Sequence, residues 1–419
     1  MANDALQVAG ICAGVYFGAG PLVDPSQGVA MERPRWFAVG RACPSDDRPG
    51  FRAADAALVG DDAKVLVVFC SQGQDVVEVV RQISDRSGGV PLIGCSTAGE
   101  IAAGGPGDAS VVVAALGGPG FSVRTALAEG ASKDLRGAGV RAAAAVDAAE
   151  DAERPHQLLM LLTDGLAGDQ QEILRGVYGT LGAGIPLVGG CAGDDLKMTR
   201  TFQLYGDSVH SDAVVAAALR SDAPLGIGVR HGWRPVGEPM VVTESAGSRI
   251  YSLDARPALS HYLERLGISP SECSSTEELA QVALTHPLGL GSRGEEAHVR
   301  FIAGADFGEQ SLLCLAEIPS ESLVWIMAGD RDSVLHATDA ACLESLSALD
   351  GRPPLGMLAF DCIARRSVLG EQGIKGEIDR IEAMASGAPM AGFYTYGEIA
   401  RTKGVHGFHN QTLVVLSVG

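Results

Sequence analysis

One glycine-rich pattern occurs three times in this chain of 419 residues, and it constrains the fold more than any other feature. Each copy reads proline, two apolar residues, glycine, a short variable run, a second glycine, an acid and an aliphatic residue. The copies span residues 91–101, 186–196 and 389–399, so the second interval is close to twice the first. Similarity repeated at such a spacing predicts internal duplication.

The sequence around these three copies, which we call the glycine tracts, repeats as well. An apolar strand pattern precedes each tract, a helical pattern lies between the two, and another strand pattern follows. The strand patterns before the tracts lie at 64–70, 157–162 and 355–361, the helical patterns at 75–84, 169–181 and 374–384, and the strand patterns after the tracts at 110–116, 213–219 and 411–418. The repeated unit is strand, helix, strand, strand. It predicts an α/β fold of two layered sheets with the helices outside.

Two regions depart from the repeat. Residues 224–323 favour a hairpin at 238–253, a helix at 257–266 and a surface loop at 269–294. Residues 1–34 favour a loose N-terminal extension, because they carry proline and glycine with little periodicity.

Composition excludes several classes of protein. The formal net charge is −19, whereas nucleic acids and anionic membrane surfaces both need a basic partner. No stretch offers the ~18 apolar residues of a membrane span, and residues 1–14 lack the basic start of a secretory signal. The nine cysteines are odd in number, widely spaced and without a C-x-x-C pair, which argues against a disulfide framework and a zinc site. We therefore expect a cytoplasmic protein with no nucleic-acid partner, no membrane insertion and no metal.

Several segments are distinctive in combination. They are the three glycine tracts, Arg-His-Gly-Trp-Arg-Pro-Val-Gly at 230–237, Asp-Cys-Ile-Ala-Arg-Arg at 361–366 and Phe-His-Asn-Gln-Thr at 408–412. With them the chain resembles the FIST family, in which a FIST_N and a FIST_C region occur together in intracellular sensory proteins. The resemblance covers residues 35–419 and implies a FIST_N-like domain at 35–222 and a FIST_C-like domain at 223–419.

The resemblance also implies a function, that of an intracellular sensor for a small, amino-acid-like ligand. One branch of the family resembles haem proteins that sense nitric oxide, so a haem sensor is the alternative. Family members act with histidine kinases, chemoreceptor modules or cyclic-dinucleotide enzymes. No segment of this chain resembles any of these, and we expect its output to pass through a separate partner such as a histidine kinase.

Ligand-binding residues are expected first in the glycine tracts. Small residues with exposed backbone N–H groups form anion-binding nests, and acids beside them suit an ammonium group. The candidates in the first two tracts are Cys95, Ser96, Thr97, Glu100, Gly190, Cys191, Asp194 and Asp195. An amino acid or a small carboxylate would match these groups. The alternative is that the tracts are structural turns repeated by the duplication.

The C-terminal region offers a second set of polar candidates. These are Cys362, Arg365, Tyr394, Tyr396, Glu398, His409, Asn410 and Gln411. If 408–416 is one strand, His409 and Gln411 share a face, as at the mouth of a pocket. Cys362 lies close to an arginine and is a candidate for a thiol with a lowered pKa. The alternative is a hydrogen-bond network that closes the sheet.

His231 and Arg230 are the candidates for haem binding. They follow an apolar run and precede Trp233, and a haem site takes an axial histidine with an arginine near a propionate. Two further alternatives stay open: an enzyme with Cys362 or Cys95 as nucleophile, and an adaptor that binds a protein through its acidic surface. No catalytic residue is assigned, and a small-molecule sensor is the preferred hypothesis.

Overall fold

A computed structural model describes residues 16–17, 34–146, 151–269, 271–291, 298–402 and 407–419. Of the N-terminal extension predicted over residues 1–34, only residues 16–17 and 34 are among them. This part of the chain is a mixed α/β fold in which helices cover four sheets. Across those ranges, no helix has the length and apolar character needed to cross a membrane.

Each glycine tract lies in a unit of one construction: first strand, helix, second strand, helix, third strand, hairpin and last strand. The first unit comprises β1 (Tyr16–Phe17), β2 (Trp36–Ala42), α1 (Pro49–Ala57), β3 (Ala63–Cys70), α2 (Val76–Ser87), β4 (Leu92–Ser96), β5 (Glu100–Ala102), β6 (Gly105–Gly107) and β7 (Val111–Gly117). The second comprises β8 (Phe121–Glu129), α3 (Leu135–Ala142), β9 (His156–Thr163), α4 (Gln170–Leu181), β10 (Leu187–Cys191), β11 (Gln203–Tyr205), β12 (Ser208–His210) and β13 (Ala213–Ser221).

The third unit is divided by an inserted domain. Its first strand is β14 (Leu225–Arg230). The insertion comprises β15 (Arg234–Ala246), β16 (Arg249–Leu253), β17 (Arg256–Pro257), α5 (Ala258–Arg265), α6 (Thr276–Thr285), β18 (Leu288–Leu290), β19 (His298–Arg300), β20 (Ile302–Asp306), β21 (Ser311–Cys314) and β22 (Leu323–Ala328). The unit then continues with α7 (Arg331–Ser347), β23 (Gly356–Cys362), α8 (Ile363–Ala385), β24 (Met390–Thr395), β25 (Glu398–Arg401), β26 (Phe408–His409) and β27 (Leu413–Val418).

The insertion, residues 231–330, explains why the interval before the third tract is doubled. The hairpin predicted at 238–253 is confirmed by β15 and β16. The surface loop predicted at 269–294 is wrong in part, because Thr276–Thr285 is a helix. Ser275 and Glu278 form a capping box at its start, a signal that the sequence contained.

The three units share one strand order and exchange their hairpins. Each sheet runs first, last, second and third strand, followed by the hairpin of another unit. The hairpin β5–β6 joins β24, β25–β26 joins β10, and β11–β12 joins β4, so the exchange forms a closed cycle. The units therefore form three sheets rather than the predicted pair, while the predicted α/β fold with layered sheets and outer helices is confirmed. The boundary predicted between 222 and 223 falls between β13 and β14 and stays a prediction.

The inner faces of the three sheets meet in one apolar core. Phe69 of the first unit stacks on Phe393 of the third at 4.8 Å between ring centroids, and Phe360 meets both rings edge-on. The paired helices α1 and α2, α3 and α4, and α7 and α8 cover the outer faces. Because side chains alternate along a strand, Phe360 faces the core while Asp361 faces α7 and α8.

The first glycine of each tract is required by a close approach between parallel strands. An ideal Cβ would lie 2.4 Å from the Val68 carbonyl oxygen at Gly94, 1.9 Å from that of Leu161 at Gly189, and 2.0 Å from that of Ala359 at Gly392. The repeated glycine thus has a packing role in all three units.

Candidate functional site

The three glycine tracts meet at one end of the molecule, because the carboxyl ends of parallel strands share an edge of each sheet. Backbone hydrogen bonds join the tracts in pairs. The first and third are joined by Ala98 N to Tyr394 O (3.0 Å) and Tyr394 N to Gly99 O (2.8 Å), the first and second by Gly193 N to Ser96 O (3.1 Å), and the second and third by Cys191 N to Gly397 O (2.8 Å) and Tyr396 N to Cys191 O (3.1 Å). We call this closed arrangement the tract junction.

Polar groups expected to form an anion-binding nest are engaged within the junction. Gly99 N and Gly397 N donate to the hydroxyl oxygens of Thr97 and Thr395, at 3.4 and 3.3 Å. The Ser96 hydroxyl donates to the carbonyl oxygen of Gly193 at 2.7 Å. Gly190 faces Thr395, whose methyl group would lie 2.7 Å from a Cβ at this position. These groups build the junction, as expected from the structural-turn alternative.

Glu100 and Glu398 occupy equivalent positions in the first and third units. The hydroxyl groups of Thr97 and Thr395 donate to Glu100 and Glu398, respectively, each at 2.5 Å. The second oxygen of each acid accepts a backbone N–H, from Ser110 at 2.9 Å and from Thr412 at 3.1 Å. Burial raises the pKa of Glu100 to about 7 and that of Glu398 to about 8, against the lowering effect of these hydrogen bonds. Both acids are therefore directed inward and satisfied by the protein.

Asp194 follows the second glycine of its tract, as Glu100 and Glu398 do, but strand register places Gln203 at their position in the second unit, and Asp194 has a different role. Its carboxylate accepts hydrogen bonds from Met198 N (2.9 Å), Thr199 N (2.7 Å) and Arg200 N (3.0 Å), and also from the Tyr396 hydroxyl of the third unit. Burial acts to raise the pKa of Asp194, but these hydrogen bonds outweigh it and lower the pKa. Asp194 thus holds residues 194–200, which we call the 194–200 loop, against the third tract.

The 194–200 loop is strained and forms the open side of the junction. Asp195, Leu196 and Met198 have φ angles of 56°, 61° and 53°, a region in which non-glycine residues cost about 1–2 kcal/mol each. The side chains of Leu196 and Met198 are 57% and 58% exposed. Asp195 accepts a hydrogen bond from the Ser71 hydroxyl at 3.2 Å and pairs with Lys197 at 3.6 Å. Charged groups are thus accessible beside a backbone under strain.

Arg365 lies apart from the open side, in a fully buried charge network between the third sheet and its helices. Its guanidinium donates to Asp361 at 2.7 Å and to Glu377 at 2.5 Å. Burial, the charge of Glu377 and a hydrogen bond with it raise the pKa of Asp361 well above its ordinary value. One proton shared by the two acids would leave a neutral group of three side chains. Tyr394 is buried in the same layer, and its ring contacts Arg366 at 5.0 Å.

The predicted cysteines are buried and protonated. Burial raises the pKa of Cys95, Cys191 and Cys362, so the prediction of a lowered pKa at Cys362 is wrong. Arg365 is directed at carboxylates, and the Cys362 thiol hydrogen-bonds Glu398 instead. This arrangement gives no support to a cysteine nucleophile, because the reactive form is the thiolate.

The C-terminal polar run does not form one strand face. Gln411 has a φ angle of 53°, which turns the chain between β26 and β27, so His409 and Gln411 do not share the face of one strand as predicted. His409 contacts the Ala400 carbonyl at 2.9 Å, and burial lowers its pKa to about 3. Asn410 donates to the His409 carbonyl at 3.1 Å, and Gln411 donates to the Leu284 carbonyl at 2.9 Å, which ties the inserted domain to the third unit.

The haem candidates are placed for structural roles. His231 Nδ1 accepts the Trp233 backbone N–H at 2.9 Å, so the ring proton lies on Nε2, the nitrogen that an iron would need bare. Arg230 donates to Glu344 at 2.6 Å. The two residues therefore do not fit a haem ligand set in this conformation.

Sequence reasoning missed the residues that complete these clusters. Ser71, Lys197 and Glu377 were not predicted as site residues. Ser110 and Thr412 were not predicted either, although each directly precedes the last strand of its unit. That repeated position is the one signal that the sequence offered for them.

Comparison with known proteins identifies two matching domains. The FIST N domain matches residues 64–256 and the FIST C domain matches residues 258–401. An uncharacterized protein of Mycobacterium tuberculosis is 28% identical over 265 residues, which cover 61% of this chain and 67% of that protein. An uncharacterized protein of Mycobacterium bovis is 26% identical over 232 residues, covering 55% of this chain and 59% of its own length.

A similarity to a solved structure is weaker. The alignment with the crystal structure of cyanuric acid hydrolase from A. caulinodans covers 92% of this chain and 99% of that chain, with 9% sequence identity and a TM-score of 0.35. A TM-score this low carries no argument. The two domain matches, by contrast, extend over most of the sequence. The chain belongs to the FIST family, whose domains are signal-transduction sensor domains.

Proposed function

We propose that this protein senses a small amino-acid-like molecule or carboxylate at the open side of the tract junction and signals to a separate protein such as a histidine kinase. The observation that carries the proposal is the Asp194 carboxylate. It joins the strained 194–200 loop of the second unit to Tyr396 of the third. A ligand that competes for this contact would change both units at once.

The charges at the open side suit a zwitterion. Asp195 and Lys197 are 34% and 55% exposed at their side chains and are separated by 3.6 Å. An amino acid carries an ammonium and a carboxylate, which can replace the pair by binding Asp195 and Lys197, respectively. Surface ion pairs contribute only about 0–1 kcal/mol, so opening this pair costs little.

A change in the loop would alter the surface that a partner meets. Leu196 and Met198 are exposed on left-handed backbone, and the strain there lowers the free energy needed to reach another conformation. A ligand that binds one loop conformation better shifts the population toward it. The binding of the partner then depends on the position of these two apolar side chains.

Calorimetry with the proteinogenic amino acids, which carry both an ammonium group and a carboxylate, tests the proposal. We expect at least one of them to bind the wild type saturably, and Asp195→Asn to weaken that binding at least about tenfold. Asp85→Asn is the matched control, because Asp85 is an exposed acid paired with Arg81 at 2.7 Å on α2. The proposal fails if no compound binds the wild type, or if both variants bind as the wild type does. Limited proteolysis of the 194–200 loop, with and without the bound compound, tests the conformational step.

A further inference from the structure

A cavity of about 320 Å³ opens beside the sheet of the second unit, away from the tract junction. Its wall includes the start of β9, whose other end leads into the second unit's side of the junction. From Gln157 to Thr163 this strand rises about 3.3 Å per residue, which separates the two regions by about 20 Å. The cavity is therefore distinct from the candidate site described above.

Strand register brings four polar side chains to one wall of this cavity. Arg220 of β13 lies opposite Ser122 of β8 on one side and Gln157 of β9 on the other. Arg124 follows Ser122 by two residues, so both point to the same face of the sheet. All four residues line the cavity. Two guanidinium groups, an amide and a hydroxyl thus converge on one concave surface.

The charged side chains that the structure describes on this wall are mostly basic, although the protein is acidic. The chain has a net charge of −19, and the lining residues that the structure describes include two arginines and one acid, Asp151. The Asp151 carboxylate pairs with Arg154 at 3.0 Å, which leaves its charge already matched. Arg124 and Arg220 have other interactions within the chain, and an anion would bind in addition to them.

We propose that this cavity binds a small anionic molecule through carboxylate or phosphate oxygens, with Arg124 and Arg220 as its charged contacts. A guanidinium presents a planar set of donors that matches both kinds of anion, and Ser122 and Gln157 supply further hydrogen bonds. The volume lies at the lower end of the range for small-molecule pockets, which fits a metabolite rather than a macromolecule. This inference does not depend on the proposed function of the junction.

Titration calorimetry with inorganic phosphate and with succinate, in separate experiments, tests the cavity and distinguishes the two anion classes. We expect saturable binding of one of them to the wild type, and at least about tenfold weaker binding to the Arg124→Gln/Arg220→Gln double variant. Arg81→Gln/Arg86→Gln is the matched control, since it removes two charges from the exposed Arg81 and the half-buried Arg86 of α2. Asp195→Asn should bind the anion as the wild type does.

Two results would overturn the proposal. One is the absence of saturable binding of either anion to the wild type. The other is equal weakening in both double variants, which would mean a response to net charge alone. Should the first double variant fail to fold by circular dichroism, the single Arg124→Gln variant, at an exposed position, supports the same comparison with Arg81→Gln.

Discussion

Replacing Gly392 with alanine tests whether the glycine tracts exist for backbone packing. Gly392 lies in β24, paired with β23, and its added Cβ would stand 2.0 Å from the Ala359 carbonyl oxygen and 2.8 Å from the carbonyl carbon. A carbon and a carbonyl oxygen approach to about 3.3 Å at closest, so the strands would have to separate by about 1 Å. Overpacking a core costs about 1–3 kcal/mol, and we expect about 3 kcal/mol here because backbone, unlike a side chain, has no rotamer to change.

Gly376→Ala is the matched control for this prediction. Gly376 lies inside α8 of the same unit, and nothing stands within 4 Å of a Cβ added there. Alanine should raise the free energy of unfolding by about 0.5–1 kcal/mol at this position. Urea denaturation followed by circular dichroism measures both variants. The packing argument is refuted if Gly392→Ala is as stable as the wild type, or if it loses ligand binding without losing stability.

Three further predictions concern the charged groups. Arg365→Met should lower the free energy of unfolding by about 3–5 kcal/mol, because Asp361 and Glu377 stay buried without their cation; a loss below about 1 kcal/mol in urea denaturation contradicts this. Burial raises the pKa of Glu398 to about 8, so between about pH 5 and pH 8 the native state retains a proton that the unfolded state has released. The free energy of unfolding should therefore fall as the pH rises through this window, by up to about 1.4 kcal/mol per pH unit. Glu398→Gln should reduce the change of the urea midpoint with pH across the window. An unchanged pH dependence of the midpoint argues against a protonated native Glu398. Asp194→Ala should release the 194–200 loop and speed its proteolytic cleavage, whereas cleavage at the wild-type rate would show that the carboxylate does not hold it.

The periodic part of the fold was accessible from the sequence. The strand predicted at 64–70 is Ala63–Cys70, and the helix predicted at 169–181 is Gln170–Leu181, with Asp169 capping its start. These elements carry strong hydrophobic periodicity and local capping signals. The exchanged hairpins were missed because strands of two to four residues have almost no period, and their partners lie in other units.

The candidate site shows where residue types stop being informative. Glu100, Asp194 and Glu398 occupy matching positions in three related tracts, and nothing in their order distinguishes them. In the structure, two are directed inward to threonine hydroxyls, while the third holds a loop at the surface. The difference comes from the length of chain after each tract, since the second hairpin begins only at Gln203.

The closed exchange of hairpins limits how this protein can respond to a ligand. Because β5 pairs with β24, β25 with β10 and β11 with β4, rotating one unit would break ladders in two sheets at once. Each backbone hydrogen bond left unmade in the buried junction costs about 1–3 kcal/mol, so such a rotation exceeds what a small ligand supplies. The 194–200 loop lies outside these ladders and is held by the Asp194 carboxylate together with a few single hydrogen bonds, such as that from Leu196 N to the Tyr396 hydroxyl. If the proposed function is correct, a signal generated at the junction is a local change of surface, and a partner has to contact this end of the molecule to receive it.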